Sequence, residues 1–182
     1  MVHLEKANTI KKGCIIVQIL LLVWFFLDMT GLFLGDQCLV TQSYKEDGTF
    51  FLIYLAAVIL FIVKAQIGKW FVAAWTSLWL IIQILSHEWY TIFNNGIMGS
   101  LEGKIEYFSG TLQWIRIDGK YIPDVYHTIL HILILATLIS TIVYIAKSKK
   151  KQSYKFQLEF ISAFIEICYN AYMKNVQKRH WK

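Results

Sequence analysis

Four apolar runs dominate the chain, at about 13–34, 49–67, 70–92 and 124–146. A run of about 20 apolar residues rises about 30 Å as a helix, which matches the hydrocarbon core of a bilayer. Composition agrees with membrane rather than with a buried soluble core. Of the 182 residues 57% are hydrophobic and 16% are charged, against about a quarter charged in soluble domains. The expected fold class is an all-α membrane protein, a four-span antiparallel transmembrane helix bundle.

The polar stretches divide the rest. Residues 1–12 form a short N-terminal segment, and residues 13–146 the four-span membrane domain. The first run has no small-x-small site after it, in Leu32-Phe33-Leu34-Gly35, so it reads as an uncleaved span. Gly68-Lys69 reads as a very short turn, pairing spans two and three as a hairpin. The loop at 94–122 is the longest and holds many turn signals. Lys104–Phe108 and Thr111–Ile117 have β-type composition, and Asp118-Gly119 stands between Trp114–Ile117 and Lys120–Ile122. That pattern predicts a small β-hairpin cap resting on the helix ends. Pro123 suits the first turn of the fourth span.

Charge is distributed unevenly. If the spans alternate, only Lys45, Lys104, Arg116 and Lys120 of the eighteen Lys and Arg lie on one side, and fourteen lie with the termini. By the positive-inside rule both termini are expected to be cytoplasmic, in a plasma (inner) membrane. The asymmetry accounts for the net charge of +6 without nucleic acid as a partner. Cys14, Cys38 and Cys168 are too scattered for a zinc knuckle or a redox pair.

Ionisable residues gather near the outer ends of three spans. They are Asp28, His87, Glu88, Asp124, His127 and His131. Asp124, His127 and His131 fall on one helix face. Facing lipid, such groups are penalised, so they are expected to face one another or a wet cleft. Three readings fit this polar layer. One is a hydrogen-bond network that fixes helix register. A second is a metal or haem site built on His87, His127 and His131. The third is a proton- or ligand-responsive site, since histidine titrates near neutral pH. If the chain is an enzyme, Glu88 is the candidate acid or base, and Ser86 and Ser109 are weak nucleophile candidates with no motif around them. The leading expectation is no cofactor.

Residues 147–182 form a basic tail, and 154–178 have the pattern of an amphipathic helix. Phe156, Phe160, Phe164, Ile165, Cys168 and Tyr172 share its apolar stripe. That face suits either the bilayer surface or a protein partner engaged through 152–182. Small size, little soluble mass and no strong catalytic motif point to a non-enzymatic subunit. It would sense or anchor at the cell envelope, within a larger and homo-oligomeric assembly. A membrane enzyme or redox protein and an oligomeric channel or transporter are the alternatives.

Overall fold

The computed structural model describes residues 2–148 and 161–166, with residues 2–8 described by their backbone. The chain divides into two units, Met1–Ser148 and Lys149–Lys182.

The first unit is built on four long helices. Helix α1 spans Val2–Thr30, α2 Tyr44–Val63, α3 Ala65–Gln83 and α6 Val125–Lys147. Helix α3 runs on through a π-helical turn, Ile84–Glu88, into α4, Trp89–Phe93. The short helix α5 is Leu101–Phe108. The stretches Thr9–Thr30, Tyr44–Val63, Ala65–Phe93 and Val125–Lys147 are each long and apolar enough to cross a membrane. They form a helical bundle in which α1 packs on α2 and α6, and α3 packs on the same two.

Beside its apolar core the bundle buries polar side chains and leaves large apolar ones exposed. Gln18, Thr76, Thr137 and Thr141 are fully buried, while Ile16, Val23, Leu52, Ile59 and Ile132 are exposed. Water would penalise that surface, whereas hydrocarbon covers it without cost. The chain is accordingly a multi-pass integral membrane protein. Trp75 and Trp79 are core residues, 2% and 3% exposed, so these two are not interfacial anchors.

Several boundaries differ from the expected ones. The first span ends at Thr30, because Gly31 takes a left-handed φ of +71° and closes the helix as such glycines do. Leu32–Leu34 then becomes strand β1, paired antiparallel with β2, Gln37–Val40, in the register Phe33↔Cys38 and Leu34↔Gln37. The turn between them is Gly35-Asp36, with Gly35 at φ +63°. The corner between spans two and three is Lys64 alone, not Gly68-Lys69. Those two residues lie buried in the first turns of α3. A Cβ on Gly68 would stand 2.2 Å from the Phe61 backbone, so glycine is what lets the two helices approach there.

The expected β-hairpin cap at 104–122 is not formed. Ser100 caps α5 by accepting from the Gly103 N–H at 3.1 Å, and Leu101, Ile105 and Phe108 pack on Tyr90 and Tyr121. Asp118-Gly119 is a turn closed by the Lys120 N–H donating to the Ile117 carbonyl at 3.1 Å, but its flanks form no strand, and Trp114, Ile115 and Ile117 are exposed. The cover at this end of the bundle is instead the β1–β2 pair, α5 and the loop after it. Leu112 ties these to α6, donating to the Cys38 carbonyl at 2.7 Å and accepting from the Val125 N–H at 3.0 Å. Pro123 precedes the helix, and Asp124 is the capping residue.

In the second unit Ile161–Glu166 is helical, with Phe164 half-buried and Ile165 exposed. The rest of the expected 154–178 helix lies outside the described residues, including Phe156, Phe160, Cys168 and Tyr172.

Candidate functional site

The polar layer converges at the end of the bundle under α5. Asp124 is fully buried, and its Oδ1 accepts both from the His127 backbone N–H at 2.9 Å and from His127 Nδ1 at 2.7 Å. This one oxygen therefore starts α6 and orients the imidazole. The His127 ring stacks on His87 with centroids 4.3 Å apart, and His131 meets His87 edge-on at 5.3 Å. His87 Nδ1 is hydrogen-bonded to the Tyr121 hydroxyl. His131 Nδ1 donates to Glu88 Oε1, and its Nε2 pairs with the Gln83 amide at 3.0 Å.

The π-turn explains how Gln83 and Glu88 reach the same ring. In an α-helix residues five apart diverge by about 140°. A π-turn closes i to i+5 and brings them onto one line. The sequence gives no sign of this turn, and Gln83 was not among the expected site residues.

The roof is aromatic and basic. Lys104 Nζ stands 5.1 to 5.3 Å over the rings of Tyr90, Phe108 and Tyr121. Burial lowers its pKa to about 8, although Asp124 and Glu88 pull the other way. Burial, aided by the negative field of Asp124 and Glu88, pushes the Tyr121 hydroxyl up. Burial alone would raise Asp124, but the His127 contacts hold its carboxyl below the ordinary carboxylate range.

Beside the histidines lies a cavity of about 230 Å³. His87, His127, Asp124 and Asp28 all line it, with Asp47, Ser86 and Tyr126. Asp28 sits two residues from the end of α1, where its carbonyl accepts from the Ser43 N–H at 2.8 Å. Its charged neighbours are Asp47 and Glu46 rather than a histidine. Asp47, which the sequence places in a loop, belongs to the first turn of α2.

Chemistry follows from who holds whom. Ser86 donates to the Gln83 carbonyl and Ser109 to the Glu106 carbonyl, so neither hydroxyl is paired with an imidazole. The three Nδ1 atoms are turned to three separate partners. Among the described residues no three His, Cys, Asp or Glu side chains are arranged around one metal position. The arrangement can hold protons and accept hydrogen bonds at several adjoining, largely buried atoms.

Comparison with known proteins returns nothing: no family model, no curated protein and no solved structure matches this chain.

Proposed function

We propose that the chain is a small membrane subunit that senses conditions at the outer face of the cell envelope, with the His87–His127–His131 cluster as the responsive element. The stack of His87 on His127 at 4.3 Å carries the reading. Two unit charges at that distance repel by about 4 kcal/mol at an effective dielectric of 20. A proton on one ring therefore raises the cost of a proton on the other, and only when both are charged are the rings pushed apart. Because the rings belong to α6 and to the far end of the α3 span, that repulsion bears on how two spans pack.

The reading takes the spans as antiparallel, with both termini cytoplasmic. Lys11 near the start of the first span donates to the Ile62 carbonyl at the end of α2, and Lys69 in the first turns of α3 donates to Ser148 just past α6. Asp28, Glu88 and Asp124 lie at the opposite ends of their helices, and the basic bias favours the lysine end as the inner one. The tail 152–182 is the segment through which a cytoplasmic partner would be engaged, and copies of the chain would assemble through their spans.

The test is a conformational titration. Wild-type protein in proteoliposomes is followed by tryptophan fluorescence as the external pH is stepped from about 8 to about 5. A transition in wild type that is absent in His87→Gln and His131→Gln supports the reading. No transition, or one unchanged in both variants, overturns it.

A further inference from the structure

The cavity beside the histidines has a chemistry of its own. Asp28, Asp47 and Asp124 contribute three carboxyls to its lining from three different elements, and no lysine or arginine lines it among the described residues. Asp28 and Asp47 are within hydrogen-bonding reach of one another. Two carboxyls so placed need a proton or a cation between them.

Two further atoms point to a missing partner. Asp124 Oδ2 is buried on a fully buried side chain, and the Thr111 hydroxyl beside this carboxyl donates to the Phe108 carbonyl instead. The Tyr126 hydroxyl is also buried and unpartnered, on a residue 1% exposed that lines the same cavity within the field of Asp28, Asp47 and Asp124. Buried polar atoms are nearly always satisfied, so each such atom calls for a partner. The apolar wall is aromatic: Phe25 and Trp79 lie 4.5 Å apart by ring centroids, and both line the cavity. Ring faces attract a cation and reject an anion.

We infer that this cavity is a binding site for a small organic ammonium ion. Its ammonium group would lie among the Asp28, Asp47 and Asp124 carboxyls and the Tyr126 hydroxyl, and its carbon chain would lie against Phe25 and Trp79. The volume equals about eight waters at roughly 30 Å³ each. That admits an alkylamine of a few carbons and excludes a drug-sized ligand. The inference rests on the sensing reading only in giving the site a task.

The experiment uses the full chain in lipid nanodiscs and the probe n-butylammonium chloride, with sodium chloride and the neutral isostere n-butanol as references. Binding is read by calorimetry and by the shift in thermal midpoint. Saturable heat and stabilisation are expected with n-butylammonium alone. Asp28→Asn/Asp47→Asn should weaken binding about thirtyfold or more. Tyr126→Phe, which keeps the ring, should weaken it by a smaller factor. Absence of saturable binding, equal binding of n-butanol, or unchanged affinity in the double aspartate variant that still melts cooperatively would each overturn the inference and leave the cavity to water. The pH titration of the histidine cluster is run without amine. Amine binding that fails while the pH response persists sinks this inference alone, and the converse sinks the sensing reading alone.

Discussion

Replacing Asp124 separates its two tasks. Asp124→Ala removes the acceptor for the His127 N–H, a capping loss of about 1 kcal/mol. It also removes the charge-assisted bond to His127 Nδ1, worth about 1.5–3 kcal/mol. Part of this is returned, because Oδ2 is buried without a partner and its desolvation cost disappears with it. The expected net loss is about 2–3 kcal/mol. Asp124→Asn keeps an Oδ1 acceptor of the same shape and forfeits only the charge-assisted share, so its loss should be about 1 kcal/mol. Reversible unfolding in mixed micelles, titrated with a denaturing detergent at neutral pH, gives the differences directly. Amide exchange of Tyr126–Thr128 reports the first turn separately. The carboxyl is held below the ordinary carboxylate range, so its contribution is present above the unfolded value near 3.9 and is lost as pH falls through the folded one. The gap between wild type and Asp124→Ala should therefore close in acid. An alanine variant within about 0.5 kcal/mol of wild type, or asparagine as damaging as alanine, would refute this account.

Two other perturbations test the frame and the roof. Gly68→Ala drives a Cβ to 2.2 Å from the Phe61 backbone, which no side-chain movement relieves, so a loss of at least about 3 kcal/mol is expected. Gly13→Ala, with nothing within 4 Å, should be neutral or stabilising by up to about 1 kcal/mol; equal thermal midpoints for the two variants would sink the close-approach argument. Lys104 has its folded pKa lowered to about 8 from 10.5. Between those values the unfolded chain binds more protons than the folded one, so stability should rise with pH through that window. Thermal unfolding at pH 7.5 and 9.5 should show that rise in wild type and a smaller one in Lys104→Met.

The spans were legible because crossing a bilayer leaves a signal of length and apolarity that no local detail hides. Their ends were not. The apolar Leu32-Phe33-Leu34 prolongs the first run as hydropathy, yet Gly31 stops the helix before it, and Gly35-Asp36 turns the chain into a hairpin whose strands are too short to show an alternating pattern. At 101–108 the β-type residues Ile105, Tyr107 and Phe108 masked a capped helix. Its Leu101, Ile105 and Phe108 spacing is helical. Within the site, the shared face of Asp124, His127 and His131 followed from periodicity. Their meeting with His87, Glu88 and Gln83 did not, because it needs the neighbour relation of α3 and α6 and a π-turn. Asp47 and Tyr126 looked like loop and span residues until the cavity placed them together.

The one-residue corner at Lys64 has a mechanical consequence. A long loop between spans two and three would act as a soft joint, letting one helix tilt while the other stayed put. Here Gly68 rests directly against Phe61, and the two helices have no slack at that end. They behave as a single stiff lever pivoted at the corner. The histidine and glutamate of the π-turn sit near the lever's far tip, about 35 Å from the pivot at about 1.5 Å per residue. A small rotation at the corner is therefore magnified at the tip, and a displacement imposed at the tip is transmitted to both helices at once.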